Sequence, residues 1–150
     1  MGRSLNILIT PMSSSPQSLS HEERVHLSRT TLSTLDDWGV KGPEQITLLA
    51  MPEGTKARTM QRYRNDTPLP DDVEIWQRVQ QIAGIAEALY TTYPRNPNMG
   101  LIWMHRVNYR FDDRTPLASM LEDGLNGMIA VHMHLDCSYD WHMDEQQQRG

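Results

Sequence analysis

The chain has one cysteine, one phenylalanine and no long hydrophobic run. A single cysteine excludes an internal disulfide framework and a cysteine-built structural zinc site. No apolar stretch approaches the roughly 18–20 residues a membrane span requires. The segment Leu5–Ile9, preceded by the lone cation Arg3, is too short for a secretory apolar region. A cytoplasmic, non-membrane protein is therefore expected. Phosphate-cradling glycine patterns and the Gly-x-Ser-x-Gly elbow are missing as well, which removes the commonest nucleotide and acyl-transfer chemistries. What remains is a chain of 150 residues with 38% hydrophobic and 22% charged residues. That length buries a usable core without cross-links.

The formal net charge is -5, unevenly distributed. Residues 1–70 carry eight Lys/Arg against seven Asp/Glu, and residues 71–150 carry six against twelve. An acidic total argues against wholesale coating of nucleic acid, and the asymmetry points to different partners for the two halves.

Two-residue alternation occurs only near Leu5–Thr10, so the fold class expected is all-α. Residues 1–19, with Pro11-Met12-Ser13-Ser14-Ser15-Pro16 inside, read as a flexible tail. Ser20-His21-Glu22-Glu23 is a capping-box pattern that opens a helix closed by Trp38-Gly39. Pro43 starts a second helix running to Met51. Pro52-Glu53-Gly54 breaks it, and Thr55 is expected to cap a third helix reaching Tyr63 or Arg64. Asp71-Asp72 begin a long core helix to Tyr93, with Ile75, Val79, Ile82, Ile85, Ala86 and Leu89 at helical spacing. Short helices are expected over Met99–Arg106 and from Thr115-Pro116 to Glu122. A last one runs from Leu125 to about Leu135, before a polar tail, 138–150.

The two short helices within 43–64 have the layout of a helix-turn-helix, whose second helix enters the DNA major groove. Between Gly54 and Arg64 there are four cations and no acid. Thr55, Lys56, Arg58, Thr59, Arg62 and Arg64 are the candidate DNA contacts, since arginine suits guanine edges and phosphates and threonine suits bases or backbone. Met60 and Tyr63 are expected to face the core. In the second half, Trp103 and Phe111 look like loop anchors, Asn108 like a turn former, and Thr115-Pro116 like a helix start.

The order Trp103, Asn108, Phe111, Thr115-Pro116-Leu117, Leu121, Gly124 resembles the toxin-binding domain of the Xre/MbcA/ParS-type antitoxins. Upstream, Trp38-Gly39, Leu48-Leu49, Arg58-Thr59, Arg62-Tyr63 and Arg78 are similar to the Xre-like helix-turn-helix region that precedes it, so the resemblance spans roughly residues 22–136. The family's usual glycine after the aromatic is replaced here by Asp112-Asp113. The resemblance implies a helix-turn-helix region at 20–70, then a long helix and a small helical toxin-binding domain at 71–137. It implies a type II antitoxin that neutralises a RES-type, NAD-degrading toxin or a related ADP-ribosylating enzyme by covering its active site. It further implies operator DNA as a partner, repression of its own operon, and a homodimer. The motif residues Trp103, Asn108, Phe111, Thr115, Pro116, Leu117 and Gly124 would form the toxin-binding domain. The alternative is a stand-alone helix-turn-helix regulator without a toxin partner, and a third reading is a pure protein-interaction module.

No catalytic residue and no cofactor are expected. Asp36-Asp37, Asp71-Asp72 and Asp112-Asp113 are adjacent in sequence and do not face one another as an acid/base pair would. His132 and His134 are two apart and point to different sides of a helix, so they read as surface or capping histidines rather than metal ligands, with His132 and Asp136 a weak i, i+4 pair. Cys137 is expected to be buried or half-buried. Met99, Met104, Met120, Met128 and Met133 read as core filling, or, if exposed, as a protein-binding surface.

Overall fold

The structure, a computed structural model, describes residues 18–149, with side chains described through Cys137. Residues 1–17, which make up most of the expected flexible tail, Leu5–Thr10 included, lie outside the described residues. The fold is all-α. Among the described residues, seven α-helices and two 3-10 turns follow in order: α1 His21–Asp37, α2 Gly42–Leu48, a turn Ala57–Met60, α3 Gln61–Asn65, α4 Val73–Thr92, α5 Met99–Met104, a turn Tyr109–Phe111, α6 Pro116–Asp123 and α7 Leu125–Arg149. No strand occurs among the described residues; the sole extended pairing is an isolated bridge, Asn108 to Arg114. The chain forms two compact units whose boundary falls inside α4, between Ala83 and Gly84.

Unit 1 is assembled from caps that the local sequence dictates. Ser20 Oγ accepts from the Glu23 amide at 3.1 Å and Glu23 Oε1 accepts from the Ser20 amide at 2.8 Å, so both halves of the capping box form. At the other end of α1, Gly39 sits at φ 73° and Val40 N–H donates to Leu35 O at 3.0 Å, a Schellman ending with buried Val40 beyond it. Along the helix Leu27, Ser28, Thr31, Leu32 and Leu35 are buried. Ser28 Oγ accepts from Leu69 N–H at 2.8 Å, which fastens the segment before α4 onto α1. Met60 and Tyr63 are buried, as their spacing predicts.

α2 ends as α1 does, but without glycine. Met51 N–H donates to Ile46 O at 3.0 Å across Ala50, whose φ is 55°. A Cβ in that left-handed region is strained by about 1–2 kcal/mol, whereas glycine is not. Ala50→Gly therefore raises the unfolding free energy, by about 0.5–1 kcal/mol after the extra unfolded-state entropy is deducted. Chemical denaturation of the two proteins checks this; a lower midpoint for Ala50→Gly contradicts it.

Several element boundaries differ from the sequence reading, among them the end of α2 at Leu48 rather than Met51 and the start of α4 at Val73 rather than Asp71. The third helix does not begin at Thr55. The Thr55 hydroxyl and amide both donate to Pro52 O, at 2.6 and 3.1 Å, closing a turn, and Lys56 is extended before the 3-10 turn starts. α5 stops at Met104 rather than Arg106, with the His105 amide bonded to Trp103 O. The last helix does not end near Leu135 but runs to Arg149. No glycine or proline stands between Asp136 and Arg149, and polarity alone does not end a helix.

In unit 2, α6 packs on α7 and α5 on α6. Thr115 Oγ1 accepts from the Ala118 amide at 3.0 Å with Pro116 in the first turn. Gly124, at φ 66°, is the C-cap of α6 and the one residue between α6 and α7. Of the five second-half methionines named above, Met104, Met120 and Met128 are fully buried and fill core, and Met133 is 61% exposed. No helix among the described residues is long and apolar enough to cross a membrane.

Candidate functional site

The six candidate DNA contacts divide into two kinds. Lys56, Arg58 and Arg62 are exposed and, among the described residues, none of them is in an ion pair. Arg58 lies in the 3-10 turn and Arg62 in α3, so the anion-free run is spread over two short elements rather than one helix. Thr55 and Thr59 are half-buried, and the Thr55 hydroxyl is engaged with Pro52 O.

Arg64 is structural. Its Nε and Nη2 donate to both carboxylate oxygens of Asp36, at 2.9 and 2.8 Å, and Nη2 also donates to Gln45 Oε1 at 2.8 Å. Gln45, which is 1% exposed, turns its amide nitrogen to Asp36 Oδ1 at 2.7 Å and to Val40 O at 2.9 Å. The bidentate guanidinium holds the Asp36 carboxyl below its ordinary range, and Asp36 in turn raises the Arg64 guanidinium. This network ties α1, α2 and α3 together. Asp36 and Gln45 were missed by the sequence reading, because nothing local marks residues that meet across 28 and 19 positions of chain.

The candidate motif residues of the second half frame one loop. Trp103 and Phe111, 7% and 6% exposed, meet edge to face with ring centroids 6.3 Å apart. His134 of α7 stacks on Trp103 at 6.3 Å and meets Phe111 edge-on at 5.3 Å. His134 is therefore a wall of the loop's seat rather than a capping histidine, and with α7 running to Arg149 it lies well before the helix end. Asn108 Oδ1 accepts from the Arg110 amide at 2.9 Å, and the Asn108 amide donates to Arg114 O at 3.0 Å. Pro116 and Leu117 are buried and Thr115 caps α6. Arg114 closes the frame, with Nη2 on Asp123 Oδ2 at 3.0 Å and Nη1 on Glu122 Oε1 at 3.3 Å. These bonds raise the Arg114 guanidinium and hold the Asp123 carboxyl low. Between Phe111 and Arg114, Asp112 and Asp113 both take left-handed backbone, φ 57° and 59°.

His132 Nε2 lies 3.4 Å from Asp136 Oδ2, the i, i+4 pair that the spacing suggested. Its ring rests directly over Gly84 of α4. No cluster of three or more His, Cys, Asp or Glu side chains placed to hold a metal ion occurs among the described residues. Cys137 is exposed, contrary to expectation, because Leu135 is the last described buried position of α7.

Burial, and secondarily the charge of Arg110, push the His134 imidazole below the ordinary histidine value of 6.5. The folded state thus takes up a proton less readily than the unfolded one. Its contribution is complete above the unfolded value and is lost as pH falls through the lowered folded value. Denaturation midpoints at pH 7.5 and 5.5 are expected to show a drop that shrinks in His134→Gln; an unchanged drop in the variant contradicts the assignment.

Comparison with protein-family models, with curated proteins and with solved structures finds no match.

Proposed function

We propose that the chain is an antitoxin of the Xre/MbcA/ParS type. It neutralises a cognate toxin, of the RES class or a related ADP-ribosylating one, by occluding its active site, and it represses its own operon through the basic face of unit 1. The observation that carries the reading is the loop at 103–124. Trp103, Phe111, Asn108, Thr115 and Gly124 each have a framing task there, and the left-handed backbone at Asp112 stands where the family writes glycine, the residue which that backbone favours. The exposed Lys56, Arg58 and Arg62 support the operator half of the reading, with Arg64 reassigned from contact to scaffold.

Co-expression with the product of the neighbouring gene tests the toxin half. Rescue of growth and co-purification are expected; undiminished toxicity without co-purification ends it. Arg58→Ala/Arg62→Ala tests the operator half. Operator affinity is expected to fall and the slope of log K against log salt to lose up to about 2, since each phosphate contact contributes about 0.9. Toxin binding persists in that variant. Operator binding without any toxin partner would instead establish a stand-alone regulator.

A further inference from the structure

Trp103 and Phe111 face inward, with Met104 buried beside them, and most of the residues from His105 to Arg110 face out. Val107 is 61% and Tyr109 74% exposed, and the adjoining Leu101 and Ile102 of α5 are 45% and 40% exposed. Four large apolar side chains within nine residues of chain are left to solvent. Arg106 and Arg110 are interleaved with them, both exposed. Arg110 is held against Tyr109, its guanidinium carbon 5.4 Å from the ring centroid and its Nε 3.1 Å from the phenolic oxygen. No acidic residue occurs between Glu87 and Asp112, in a half whose total charge is strongly negative.

The seat beneath this surface is fixed. Trp103, Phe111 and His134 pack under it, Asn108 and Arg114 close its base, and the strain of two consecutive left-handed aspartates is retained. Backbone strain of this kind, about 1–3 kcal/mol per residue, persists where the surroundings over-determine it. Exposed Tyr and Arg are the residues enriched at protein-binding hot spots, the neighbouring aliphatic groups add apolar area, and a rigid seat lowers the ordering cost on association.

We propose that Leu101, Ile102, Val107 and Tyr109, bordered by Arg106 and Arg110, dock a protein partner whose contact surface is apolar and rimmed by carboxylates. The sign of the border sets the sign of the partner. Nucleic acid is disfavoured as the occupant, because three aliphatic side chains have no role on phosphate. The inference rests on the reading of unit 2 as the partner-binding half. It reverses the complementarity that the acidic total of residues 71–150 suggests, because the loop's own border is cationic.

The test places a photo-crosslinking benzoylphenylalanine at position 109 of the full chain in cells of the source organism, with the same group at Tyr90, 67% exposed on α4, as the control. The expected result is a crosslink from position 109 to an acidic segment of another protein, mapped by mass spectrometry. It falls at least ten-fold when Arg106→Glu/Arg110→Glu is added, with the helical circular dichroism unchanged. Replacing the partner's mapped carboxylates by lysine restores it in that background. A crosslink to nucleic acid, to a second copy of this chain or to a non-acidic segment overturns the proposal. So does a yield no higher than the Tyr90 control, or one indifferent to the charge reversal. If the neighbouring gene's product co-purifies but crosslinks only elsewhere, the surface is wrong and the antitoxin reading stands. If the mapped partner is a different protein and the neighbouring gene's product neither co-purifies nor is neutralised, the surface stands and the antitoxin reading falls.

Discussion

Trp103→Ala is expected to destabilise unit 2 by about 3–5 kcal/mol, the range for removing a large buried aromatic. Trp103 is buried against two further rings: Phe111 meets it edge-on and His134 lies nearly parallel to it, at 20°. Truncation removes the burial of the indole and leaves Phe111 and His134 without their common neighbour; each aromatic pair contributes about 0.5–1.5 kcal/mol beyond area. Against a total stability of about 5–15 kcal/mol, the loss is a large share. It is also local. The loop from His105 to Arg114 rests on these rings, so the variant should show new tryptic cleavage at the exposed Arg106 and Arg110 before global unfolding. Trp103→Phe keeps a ring in place and is expected to lose less than half as much. A denaturation midpoint for Trp103→Ala close to wild type, with Arg106 and Arg110 still resistant to trypsin, would show that the rings do not hold the loop.

That seat was half legible in the sequence. Trp103, Phe111, Asn108 and Thr115-Pro116 were readable because Trp and Phe carry large rings with the most apolar area to bury, and because Asn turns and Thr-Pro caps act on their own backbone. His134 was not, since its partners stand 31 and 23 positions earlier and no local pattern marks a helical histidine as a wall. The same division runs through unit 1. The Ser20–Glu23 box and the Gly39 ending are local and appear where they are written, whereas Thr55 carries a cap-like identity and is diverted by Pro52, three residues before it. Arg64 is the instructive case for function. By composition it is one of four cations on a face; by geometry it is the scaffold on which that face is mounted, because Asp36 offers it a bidentate partner that DNA would have to displace. Charge counting finds candidate surfaces, and only pairing separates the cations that are free to meet a partner from those already spent. In the loop the lesson is inverted. The resemblance singled out Trp103 and Phe111, which face inward, and most of the residues from His105 to Arg110, unremarkable as sequence, carry the exposed surface.

Gly127→Ala is expected to destabilise unit 2 by about 2–3 kcal/mol, although in an exposed helix the same change gains nearly 1 kcal/mol. A Cβ at position 127 would lie 2.4 Å from Ser119 O and 3.0 Å from Asp123 Cβ. The obstacle is a backbone carbonyl of α6, and α6 cannot retreat. Thr115 caps its start, Gly124 N–H bonds Met120 O at its end, and Gly124 alone separates it from α7. Relief must therefore come from spreading the two helices, which opens the space among Leu117 and Met120 on one side and Met128 and Val131 on the other, all buried. Gly84 supplies the contrast. A Cβ there would lie 2.3 Å from His132 Cε1, but an imidazole can rotate out, so Gly84→Ala is expected to lose less and to break the His132–Asp136 contact as it does so. The pair of variants discriminates backbone from side-chain obstruction in one denaturation series. If Gly127→Ala equals or exceeds wild type in stability, helix propensity dominates and α6 and α7 are not held at the closeness the structure gives them.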